Sequence, residues 1–92
     1  MSLEFTGYLG TGAERRSFVL RLLGPERHEE GGDYFVTIDA PAVLTRVERI
    51  FGVDENQARQ LAARYLLEHL AGRPIYDTEG RPVDLRELLS RT

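Results

Sequence analysis

Apolar and polar residues alternate along the first part of the chain, and the period changes once, near Asp39. From Arg15 to Leu23, Phe18, Leu20 and Leu22 fall on one face of an extended strand and Val19, Arg21 and Leu23 on the other. Asp33 to Ile38 repeats the pattern, with Tyr34, Val36 and Ile38 opposed to Phe35 and Thr37. Residues 4–9 supply a further strand, weakened by Gly7. Gly10-Thr11-Gly12-Ala13 reads as a turn, and Gly24-Pro25 ends the second strand. Three strands joined by short loops make an antiparallel meander.

Beyond Asp39 the spacing turns helical. Pro41 suits a first helical turn, and Val43, Leu44, Val47, Ile50 and Phe51 share one helical face, with Gly52 as a terminating glycine. A stronger helix follows over 54–71. Asp54 is a good N-cap with Gln57 three residues on, and Ala58, Leu61, Ala62, Tyr65, Leu66, His69 and Leu70 recur at helical spacing. Glu55 and Arg59 form a favourable i,i+4 pair on its opposite face, and Gly72 and Pro74 terminate it.

Asp77-Thr78-Glu79-Gly80 is a turn signature between short strands at 74–76 and 81–83. Asp84 then caps a last helical turn or two carrying Leu85, Leu88 and Leu89. The expected fold is α+β: a three-stranded antiparallel meander packed on one long amphipathic helix, with a short C-terminal hairpin and a short helix. A single domain over residues 1–92 accommodates it. Phe18, Leu20, Leu22, Tyr34, Val36 and Ile38 face the helix. Val19, Leu23, Phe35 and Tyr8 fall on the second sheet face, to be covered by the terminal hairpin and helix or by another subunit.

Composition narrows the function classes. There is no cysteine, which removes disulfides and thiolate metal sites and fits a reducing cytosol. No apolar run approaches the ~20 residues of a membrane helix. A cytoplasmic location is expected, with no membrane partner and no cofactor. Every basic residue is arginine, so polar interfaces are arginine-centred. The net charge of −3 argues against nucleic acid as the main partner, and residues 25–40 hold five carboxylates against one arginine.

Candidate chemistry is thin. Gly7, Gly10 and Gly12 lead into a strand, whereas a phosphate loop leads into a helix. His28, Glu29, Glu30 and Asp33 carry metal-ligating atoms on a glycine-flanked loop that reads as a solvated tip. Arg15, Arg16 and Arg21 with Tyr8 and Phe18 would be a basic-aromatic surface, but alternation splits them between two faces. Arg16, Tyr65 and His69 are the candidate polar site, placed between sheet and helix.

The stretches Glu14-Arg15-Arg16 and Gly52-Val53-Asp54…Gln57-Ala58 resemble a segment recurring in a group of small bacterial α+β domains. There a strand pair leads to a Gly-Val-Asp-x-x-Gln-Ala helix start. The resemblance spans about half the chain and implies that fold element; it implies no activity, since the group has none assigned.

The leading expectation is a non-enzymatic bacterial interaction or accessory module, its partner another protein or a second copy of itself as a homodimer. The candidate interaction surface is Val19, Leu23 and Phe35. The alternatives are a small-ligand-binding protein or small enzyme with a pocket between sheet and helix, and, third, a weak nucleic-acid binder.

Overall fold

The computed structural model describes residues 2–91. The three expected strands are β1 (Ser2–Leu9), β2 (Arg16–Arg27) and β3 (Tyr34–Asp39), each pairing antiparallel with the next. A single 3-10 turn, Gly12–Glu14, joins β1 to β2. β2 runs past Gly24-Pro25 instead of stopping there, because its pairing with β3 shifts register between Leu23 and Glu26 and then resumes. This bulge absorbs the proline without ending the strand.

The predicted helix over 41–51 does not form. Only one turn survives, where Val43 and Leu44 donate backbone hydrogen bonds to the carbonyl of Ala40. The chain then enters a fourth strand, β4 (Glu48–Gly52), antiparallel to β3 from Ile38↔Glu48 to Tyr34↔Gly52. Val47, Ile50 and Phe51 satisfy a helical period on paper. As a strand they divide, Ile50 to one face and Val47 and Phe51 to the other, and pairing with β3 decides in favour of the strand. In β4, Ile50 and Gly52 turn toward the core while Arg49 and Phe51 turn away.

The expected capped helix is α1 (Glu55–His69). The Gln57 backbone N–H donates to the Asp54 carboxylate at 2.7 Å, and the Gln57 side-chain oxygen accepts from the Val53 N–H at 2.7 Å. This variant of the capping box reaches one residue further back than the usual form. Its buried line is Ala58, Ala62, Leu66 and Leu70, an i,i+4 row. Leu61 and His69, expected within the apolar stripe, are exposed. The flank that joins the core is Ala63 and Leu67, together with half-buried Tyr65.

The hairpin strands β5 (Ile75–Asp77) and β6 (Pro82–Val83) follow, and α2 (Leu85–Leu89) closes the described chain with Asp84 accepting from the Arg86 N–H. The hairpin does not lie over the sheet. β5 pairs with β1, so all six strands form one antiparallel sheet in the order β4-β3-β2-β1-β5-β6. The meander is thus one half of a sheet twice as wide as expected. Gly7 is the hinge of that extension: a Cβ there would collide with the carbonyl oxygen of Tyr76 on β5.

Both helices cover the same sheet face. Phe18, Leu20, Ile38 and Leu66 are the largest fully buried side chains and lie where α1 meets the sheet centre. Each contributes roughly 1.5–3 kcal/mol of burial. Leu88 and Leu89 of α2 complete this core.

Candidate functional site

The second sheet face carries no helix. Cross-strand register puts Tyr8, Val19, Leu23, Phe35, Phe51 and Tyr76 on it. The expected surface residues Val19, Leu23 and Phe35 therefore share one face, and neither the hairpin nor α2 covers them. Leu23 is 48% and Phe51 45% exposed, high values for large apolar side chains within strands.

Around Phe35 an aromatic cluster builds up. The Phe35 and Phe51 rings lie 5.5 Å apart by centroid, and the His28 ring stands edge-on to both at 6.3 and 5.7 Å. The Arg49 guanidinium sits 5.1 Å from the Phe35 ring centre. His28 is thus not a solvated loop residue. It closes one end of the cluster, because the loop after β2 folds back through a hydrogen bond from its N–H to the Asp33 carbonyl at 2.6 Å. Sequence reading missed His28, Arg49 and Phe51 as members of this surface. Only the strand character of β4 brings Arg49 and Phe51 to this face, and the β-favouring pair Ile50-Phe51 is its one local signal.

The two edges of the sheet differ. β6 has two residues, one of them Pro82, which lacks a donor; this edge is blunted. β4 is longer, and exposed Val47 and Val53 flank it at 53% and 69%. The apolar surface of the helix-free face is therefore continuous with an open strand edge.

The candidate polar site does not assemble as expected. Tyr65 and His69 stack on one another, centroids 4.2 Å apart, and the His69 Nδ1 lies 3.1 Å from the Tyr65 carbonyl oxygen. That contact is local to one helical turn. Arg16 instead lines a cleft with Glu14, Arg73 and Pro74, where the Gly10 N–H donates to the Pro74 carbonyl at 3.0 Å. The arginines near the N-terminus divide as alternation requires. Arg21 pairs with Glu4 at 3.6 Å on the helix-free face, and Arg15 lies 3.9 Å over the Tyr8 ring.

A separate cavity of about 300 Å³ opens between α1, α2 and the sheet. Leu22 and Val36 form its sheet side, Ala62 and Leu67 its α1 side and Leu89 its α2 side. Arg59 and Arg86 also line it, with Gln60 and Ser90.

Among the described residues, no group of three or more metal-ligating side chains is gathered, and no helix is long and apolar enough to cross a membrane. Comparison with protein-family models, with curated proteins and with solved structures found no match to this chain.

Proposed function

We propose that the protein is a non-enzymatic interaction module that associates with a second copy of itself through the helix-free sheet face and the β4 edge. The observation that carries the reading is the joint exposure of Leu23 and Phe51 on a face that no element among the described residues covers. Contiguous apolar surface of this kind marks interaction sites in soluble domains.

A second copy is favoured over an unrelated partner by the sequence of β4 itself. Antiparallel pairing of two β4 strands about Ile50 sets Arg49 of one copy opposite Phe51 of the other, twice over. The seam would then repeat the arginine-on-aromatic contact that Arg49 already makes with Phe35. Such an interface is isologous, each copy offering the same patch. The blunted β6 edge offers no competing site.

Sedimentation velocity over a wide concentration range tests this. The expected result is a monomer–dimer equilibrium that Phe51→Asp abolishes while the far-UV spectrum stays unchanged. A wild-type chain that sediments as a monomer at every concentration overturns it.

A further inference from the structure

We infer that the cavity between α1, α2 and the sheet is a binding site for a small amphiphilic carboxylate, an aliphatic body seated on the apolar floor with its anionic head held by Arg59 and Arg86. The inference is independent of self-association, since the cavity lies on the opposite face of the sheet.

Three observations converge. The first is shape: at about 300 Å³ the cavity stands at the small end of ligand sites, which run roughly 300–1,000 Å³. Its floor is made by Leu22, Val36, Ala62, Ala63, Leu67 and Leu89, with no charged group among them.

The second is charge. Two arginines line the cavity, and no aspartate or glutamate is among its described lining residues. The chain as a whole has a net charge of −3, so this local excess of positive charge is not a by-product of a basic protein. It selects an anion over a neutral or cationic guest.

The third is an unmet donor. The Arg59 Nε is buried and makes no hydrogen bond among the described residues. Its guanidinium reaches Glu55 only at 3.8 Å, too far for a hydrogen bond. Arg86 makes no ion pair among the described residues; its backbone N–H, not its guanidinium, is held by Asp84. A buried N–H without a hydrogen-bond partner carries a cost in the empty protein, although the rest of the Arg59 guanidinium is partly exposed and paired with Glu55. A carboxylate, which accepts only and matches the guanidinium fork, is the chemical complement of both groups.

Gln60 and Ser90 at the same cavity supply neutral donors. The recognition is therefore of one small anionic head next to a short apolar body, not of a long lipid chain. The cavity has no room for one.

The test uses octanoate as the probe, with the full chain and its backbone amides assigned by NMR. Octanoate is expected to give saturable shifts confined to Ala62, Ala63, Leu67, Leu89 and their neighbours, and to raise the melting temperature by mass action. Octan-1-ol has the same body without the charge and should bind at least about tenfold more weakly, as loss of a charge-assisted hydrogen bond predicts. Arg59→Met with Arg86→Met should cost octanoate a similar factor and leave octan-1-ol binding unchanged. The proposal is overturned by the absence of saturable shifts in these residues, or by equal affinity for acid and alcohol in the wild-type chain. Unchanged octanoate affinity in the double variant overturns it equally.

Discussion

Phe35 and Phe51 face each other directly across the β3–β4 ladder, their ring centroids 5.5 Å apart on the side of the sheet that carries no helix. The pair serves two ends. It ties the edge strand to the sheet, as cross-strand aromatic pairs do, and it presents ring surface outward. Because Phe51 is 45% exposed, Phe51→Asp should lower stability only by about 1 kcal/mol, the scale of one cross-strand pair. It should remove concentration-dependent association entirely. Urea denaturation and sedimentation velocity on the same preparation separate the two effects.

Gly52 gives a sharper structural test. It ends β4, and a Cβ at this position would collide with the backbone N–H of Ala58, in the first turn and a half of α1. Backbone cannot rotate away as a side chain can. Gly52→Ala is expected to destabilise by about 1–3 kcal/mol through overpacking, read as a lower urea midpoint at constant m-value. Gly52→Asn discriminates further. Asparagine is tolerated at a helix-terminating position, but where strand and helix touch it should be worse than alanine.

The β5–β6 turn is built on Asp77. Its carboxylate accepts from the backbone N–H groups of Arg81 and Glu79, both at 2.9 Å, and from the Arg81 guanidinium at 2.9 Å. The Arg81 backbone N–H leads, with its side chain and Glu79 adding, in holding the carboxyl below the usual carboxylate range. The folded hairpin therefore favours the ionised form. Its stabilising contribution is complete above about pH 4, the ordinary aspartate value, and is lost as pH falls through the depressed folded value. The stability gap between wild type and Asp77→Asn should be constant near neutral pH and close in acid. A gap that stays constant to low pH would contradict this account.

Arg59→Met is expected to stabilise the empty protein. The substitution keeps the apolar stem, removes a buried donor that lacks a partner, and loses only a loose pair with half-exposed Glu55. A gain of about 1 kcal/mol is the scale expected for relieving one such group. The loss of an exposed ion pair offsets it by a few tenths of that. Thermal and urea melts of the single variant decide the sign.

Much of this fold is readable from local pattern, and the exceptions have a common cause. β1, β2, β3, the cap of α1, and the turn at Asp77–Gly80 each announce themselves within a few residues, through alternation or a hydrogen-bonding side chain. Phe18, Leu20, Leu22, Val36 and Ile38 were expected in the core and are buried there. β4 is not readable in the same way. Val43, Leu44, Val47, Ile50 and Phe51 fit the helical period, and only the ladder from Glu48 to Gly52 against β3, a tertiary partner, overrides it.

The same holds for the sites. Val19, Leu23 and Phe35 fall on one face by alternation alone, whereas His28, Arg49 and Phe51 join them through β4. Tyr65 and His69 suggested a polar site because the apolar stripe of α1 was centred one column too far round. The buried row is Ala58-Ala62-Leu66, which carries Arg59 toward α2 instead. No local pattern encodes how two helices meet, so the Arg59–Arg86 cavity lies beyond sequence reading.

The position of β1 has a consequence for how the molecule comes into being. It precedes the other five strands in the chain, yet it lies inside the finished sheet, between β2 and β5. β2 can pair with it as soon as it is synthesised. The other side of β1 must wait while β3, β4 and α1 are added, until the chain reaches Ile75–Asp77. A ribosome-bound chain thus carries β2, β3, β4 and α1 together with an unsealed inner strand. The hairpin that looks like an appendage in sequence is the step that seals the sheet, before α2 completes the core. A nascent chain halted before it is the form most exposed to wrong strand pairing.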